Sequence, residues 1–227
     1  MRRRFAAYVV VCVVALALGA CGKHAPRDEP PPPLDRSAIY PLIVPTNDLP
    51  SGPVRRPLVE GLVVTLAAAS PAGQAKLLRE VDLQGMTLDA AYTTALANLE
   101  GAARRGEITV RAERDASGRT IDVVWGHDWR AAACLLLPGV RQQADQQLLR
   151  AAGSANAPAV GSANAGTPTV YAAIPNRDVL VLFADPAVAT AALAAEKNAP
   201  RPISDRVLHV LPTDQPFWIQ PPVSWAP

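Results

Sequence analysis

The chain has 227 residues, 49% of them hydrophobic and 19% charged, with 23 prolines, three cysteines and a formal net charge of +2. It is long enough for one compact domain with a real core. Its charge balance gives no electrostatic reason to bind nucleic acid or anionic lipid.

The first stretch reads as a targeting segment. Met1-Arg2-Arg3-Arg4 is a basic start, and Phe5 to Leu18 is an apolar run too short for a comfortable membrane span. Leu18-Gly19-Ala20-Cys21 follows. Small residues before a cysteine resemble the lipobox of bacterial lipoproteins. That resemblance implies a signal peptide over residues 1–20, cleavage before Cys21, and lipidation of Cys21 with palmitate-type acyl chains. Gly22 stands where an aspartate would favour inner-membrane retention, so the expected location is the outer membrane, facing the periplasm. Cleavage would remove three arginines and no acid, and the formal charge would become −1, with 19 basic against 20 acidic residues. Cys12 would leave with the leader and Cys21 would carry lipid. Cys134 would then remain alone, as a buried small hydrophobe in Ala131–Leu137.

Residues 21–53 read as a proline-rich tether, with four consecutive prolines at Pro30–Pro33. Proline suppresses helix and sheet, and about ten such residues in an extended form span about 31 Å. Within it, Ser37–Val44 is apolar enough to lie on the domain as an edge strand, where its proline is tolerated.

Residues 54–227 are assigned to the globular domain. Leu58–Ala68 reads as a strand or a short buried helix. Ser70-Pro71 predicts a helix over Pro71–Val81. Thr87 predicts the start of a second helix with Leu88, Tyr92, Leu96, Leu99 and Ala103 on one apolar face, ended by Gly106. Glu107–Glu113 and Arg119–Trp125 alternate about a turn at 115–118 and predict a hairpin with one wet face. Asp128 is placed to cap a helix over Ala131–Leu137. Pro138-Gly139 breaks that helix, and a mostly solvated helix follows over Val140–Ala152. Gly153–Pro168 contains the repeats Gly153-Ser-Ala-Asn-Ala and Gly161-Ser-Ala-Asn-Ala, and predicts a mobile loop.

Thr169–Ile174 and Val179–Phe183 flank Pro175-Asn176-Arg177-Asp178 and form the clearest hairpin. The second run is apolar throughout, as expected of a strand buried on both faces. A helix over Ala187–Lys197 and a strand over Arg206–Leu211 follow. The tail holds Phe217, Trp218 and Trp225 among prolines and is expected to fold back as a hydrophobic cover rather than project as an adhesive arm.

Two of these stretches carry a resemblance. Ala173-Ile-Pro-Asn-Arg-Asp-Val-Leu-Val-Leu-Phe183 and Leu83-Gln-Gly-Met-Thr-Leu-Asp-Ala-Ala91, with Ala95-Leu-Ala-Asn-Leu99, look like motifs of the YtpQ-like family of uncharacterised bacterial proteins. The resemblance covers about residues 58–211. It implies an α+β fold and no assigned activity. The leader and the insert before the second hairpin depart from the pattern.

The search for chemistry is mostly negative. The chain has no Gly-x-Ser-x-Gly, His-Glu-x-x-His, P-loop or Gly-x-Gly-x-x-Gly. Two domain histidines and one domain cysteine make a zinc site unexpected, and no cofactor is implied. Two sets could bind a ligand. Asn176, Arg177 and Asp178 would brace a turn or recognise a carboxylate. Trp125, His127 and Trp129 would stack on a sugar or peptide, or simply pack a strand end. The expectation is an α+β single domain, with a mixed or antiparallel sheet and β-hairpins packed by several helices. Its expected role is a non-catalytic, lipid-anchored module binding an envelope protein or a cell-wall component. The alternative is a periplasmic hydrolase acting on the cell wall.

Overall fold

The computed structural model describes residues 33–70, 74–114, 120–126, 128–156, 170–185, 193, 202–211 and 213–226. Residues 120–122, 124–125 and 149–156 are described by backbone alone. The lipobox, residues 157–168 of the expected mobile loop and all of the expected helix at 187–197 except Leu193 lie outside these residues, as do Cys21 and His127, while residues 153–156 of that loop are instead the last turn of a helix.

Among the described residues ten strands form two antiparallel sheets, an α+β arrangement. The first sheet contains β1 (Ile39–Pro45), β2 (Arg55–Val59), β3 (Leu62–Ala69) and β4 (Ala75–Leu77). β3 is its axis. β1 pairs along one side of β3, while β2 and β4 share the other side, one along each half. The run Leu58–Ala68 is therefore two strands joined at Glu60-Gly61. Gly61 has φ +82°, a conformation that is strained for any residue with a Cβ. The compact unit begins at Pro33, so residues 33–53, expected as tether, are part of the fold. β1 is an edge strand, but six of its seven residues are buried.

The helix predicted over Pro71–Val81 is replaced by β4 and a 3-10 turn at Glu80–Leu83. Ser70 closes a hairpin: its amide donates to the Gln74 carbonyl at 2.8 Å, and its hydroxyl accepts from the Gln74 amide at 3.1 Å. The vacant half of β3 offered Ala75–Leu77 a ladder, and that outweighed the local capping signal.

Helix α1 (Leu88–Arg104) starts where Thr87 accepts from the Ala90 amide and ends before Gly106, at φ +73°. Its buried stripe is Ala91, Tyr92, Ala95, Leu99 and Ala102, so the face against the sheet is turned by about one residue from the expected one. Leu88, Leu96 and Ala103 are left half-buried.

The second sheet has strands β5 (Thr109–Arg114), β6 (Thr120–Gly126), β7 (Val170–Asn176), β8 (Val179–Phe183), β9 (Leu208–Val210) and β10 (Val223–Trp225), in spatial order β10-β9-β7-β8-β6-β5. The hairpin β7–β8 stands at its centre, and β8 is buried along most of its length. The hairpin β5–β6 forms as predicted, but without a dry side on β5. All six residues of β5 are exposed, because the sheet ends there and Ile108, just before it, is the residue that enters the core.

Between the sheets lies Ala131–Leu137. It is apolar on every side and wholly buried, and it winds as a 3-10 helix over Ala132–Leu136 rather than an α-helix. It touches α1, β1, β6, β7 and β8 and so joins the two sheets. Pro138 opens α2 (Pro138–Asn156) instead of merely ending the preceding segment, since proline is tolerated in a first helical turn. Val140, Arg141, Ala144 and Leu148 form its buried face. The tail folds back as expected: Phe217 is buried, and β10 pairs with β9.

Candidate functional site

The register of the second sheet brings the backbone of Trp125, one member of its predicted set, toward the set Asn176, Arg177 and Asp178. Gly126 pairs with Val179 and Trp125 with Leu180, so the end of β6 lies beside the β7–β8 turn. Asn176 is buried, and its side-chain oxygen accepts from the Asp178 amide at 2.8 Å, bracing the turn. The carbonyl of Arg177 accepts from the Ala132 amide at 3.2 Å, which ties the turn to the buried 3-10 segment. Arg177 and Asp178 are half-buried. Trp129 is half-buried, edge-on to Tyr40 at 5.9 Å between ring centroids. The Trp125 side chain and His127 are among the parts not described.

The strongest electrostatic cluster at this end centres on Arg130, which sequence reasoning missed. Its guanidinium donates to both oxygens of Asp128, each at 2.8 Å, and to Glu107 at 3.0 Å. It also lies over the Tyr40 ring, 4.7 Å from the centroid. Hydrogen bonding to Asp128 outweighs burial and raises the guanidinium pKa. Arg105 first, then Arg130, hold the Glu107 carboxyl below its ordinary value. A fork-shaped cation beside a wholly apolar segment, in Asp128-Trp129-Arg130-Ala131, was the available sign of a buried pair. Arg130 joins the start of β5, β1 and the 3-10 segment. Its partners are engaged in ion pairs, so the cluster is built to brace and not to exchange protons.

A second buried arginine, Arg141, donates to the carbonyls of Leu135 at 2.9 Å and Thr213 at 2.6 Å. Burial lowers its pKa. It fastens α2 to the 3-10 segment and to the tail.

Cys134 is fully buried, and desolvation pushes its thiol up to about 12. A nucleophilic thiol needs the opposite environment. In the native state Cys134 will resist a water-soluble maleimide at pH 8 and react once the chain is unfolded in urea; labelling at the rate of a free peptide thiol would contradict the burial. Among the described residues no group of three His, Cys, Asp or Glu side chains could hold a metal ion. No described helix is long and apolar enough to cross a membrane.

A groove of about 620 Å³ opens between α1 and the start of α2. Leu96, Ala97, Ala103, Leu137, Pro138 and Val140 supply its apolar lining. Glu100 and Arg104, one turn apart on α1, form an ion pair beside it. Of the residues that create this groove, Leu96 and Ala103 lie on the predicted apolar face of the α1 segment, whereas Pro138 reads in the sequence only as a helix break and Val140 only as the start of a solvated helix. Leu96 and Ala103 belong to an apolar face wider than the first sheet covers, and the uncovered flank lines the groove. Comparison of the chain with protein-family models, curated proteins and solved structures finds no match.

Proposed function

We propose that this chain is a non-catalytic interaction module of the bacterial envelope. It is lipidated at Cys21, held on the outer membrane facing the periplasm, and seats the apolar side chains of a partner envelope protein between α1 and α2. The observation that carries the binding part is the open groove, whose lining is mostly apolar and whose neighbouring charges neutralise each other. An apolar lining suits protein side chains better than the hydroxyl-rich surface of a cell-wall glycan. The lipobox residues carry the anchoring part. The engagement of Arg130, Asp128 and Glu107 in ion pairs, together with a protonated Cys134, favours binding over hydrolysis. The YtpQ-like resemblance is part of the same proposal and adds an α+β fold without an activity.

The test is cross-linking in membranes, using the full chain, Cys21→Ser and Ala97→Trp. Ala97 is exposed on α1, so tryptophan there fills the groove without entering the core. Cys21→Ser is expected to release the protein from membranes. Ala97→Trp is expected to reduce partner cross-linking about ten-fold while the far-UV spectrum is unchanged. Cross-linking unchanged in Ala97→Trp would remove the groove from the proposal, and membrane retention of Cys21→Ser would remove the anchor.

A further inference from the structure

The second sheet is open at β5. Among the described residues this strand is last in the sheet order and pairs with β6 alone, so one row of its backbone donors and acceptors faces away from the sheet. All six residues of β5 are exposed. Arg111 and Glu113 share one face of the strand and pair with each other at 3.1 Å, both substantially exposed. Charges on an edge normally discourage a neighbouring strand. Here their order makes one exception.

We propose that β5 is a homodimerisation edge, at which two copies pair antiparallel about Ala112 and join their sheets into one. In that register Ala112 faces the second copy's Ala112. Arg111 then faces the second copy's Glu113, and Glu113 faces the second copy's Arg111. Two opposite-charge pairs form across the two-fold axis, directly opposite each other, where side chains on paired strands interact most strongly. Sliding the strands by two residues one way sets Arg111 against Arg111, and the other way sets Glu113 against Glu113. The charge pattern therefore selects both the partner and the register, while a neutral strand would gain nothing from it. A contact of strand size lies at the small end of specific interfaces, so the dimer is reversible and depends on local concentration. This inference is independent of what occupies the groove.

The test places a thiol at the predicted axis. Ala112→Cys in the full chain, in native membranes, is treated with a short bifunctional thiol reagent beside the unsubstituted chain. A dimer is expected only with Cys at 112. In that background Arg111→Glu or Glu113→Arg is expected to cut the yield about ten-fold, because each sets like charges opposite one another. The double reversal R111E/E113R is expected to restore it, which also shows that the reversed chains fold. Absence of a dimer above the unsubstituted background would overturn the proposal. So would a yield unmoved by the single reversals, failure of the double reversal to restore it, or cross-linking of Cys at 112 to a different protein.

Discussion

Ending the chain at Gln215 is expected to lower stability by about 5 kcal/mol or more, a large part of what holds a domain of this size folded. The truncation removes Phe217, which is buried edge-on against Tyr92 with ring centroids 5.2 Å apart. Tyr92 is itself fully buried, and its hydroxyl donates to the Val64 carbonyl at 2.7 Å. Trp218 also packs on Tyr92, and the Arg56 guanidinium lies over both rings while pairing with Asp89. Further along, β10 pairs with β9 in the second sheet, while the Trp225 indole donates to the Glu60 carbonyl at the β2–β3 turn of the first. The tail thus spans both sheets. Removing it uncovers Tyr92 and breaks the link that Trp225 makes between Glu60 and β9. Urea unfolding of the truncated and full chains measures the effect, and a difference below about 1 kcal/mol would show the tail to be an accessory.

The second large effect is expected at Arg130. Arg130→Ala should lower stability by about 3 kcal/mol, because it leaves Asp128 and Glu107 facing each other without their shared cation. Arg130→Lys should recover less than half of this, since an ammonium cannot donate side by side to both Asp128 oxygens. Acid adds a second readout. The Glu107 carboxyl is held below its ordinary value of 4.5, so the stability it contributes is present above that pH. It is lost as pH falls below 4.5 through the lowered value. Loss of Arg130 should therefore flatten the dependence of stability on pH in that window. Urea midpoints measured from pH 3 to 7 would show it, and an unchanged slope would place the charge of Glu107 with Arg105 alone.

The central hairpin was legible because proline, two Asx side chains and an unbroken apolar run all point the same way in a few residues. Helix α1 was legible for a similar reason, with Thr87 and Gly106 marking its ends. The error at 71–81 came from reading Ser70-Pro71 locally, when the deciding partner was the second half of β3. β5 was correctly read as a strand, but alternation could not reveal that all six of its residues are exposed. Arg130 and Glu107 are 23 positions apart, and only the fold sets them 3.0 Å from each other. Trp125 likewise became a neighbour of the β7–β8 turn through strand register, which no spacing in the sequence encodes. The groove was hidden for a different reason: an apolar residue on a helix announces a face, but not whether another element covers it.

The bridging tail also fixes an order of events. The first sheet uses residues 39–77 and has its pairing partners close along the chain, so it can assemble early. Tyr92 then waits for Phe217, and the turn at Glu60 waits for Trp225. A chain emerging from its amino end can gather strands but cannot close its core until residues 213–226 arrive. Until that moment Tyr92 lacks its edge-on ring partner and the Glu60 carbonyl lacks its indole donor.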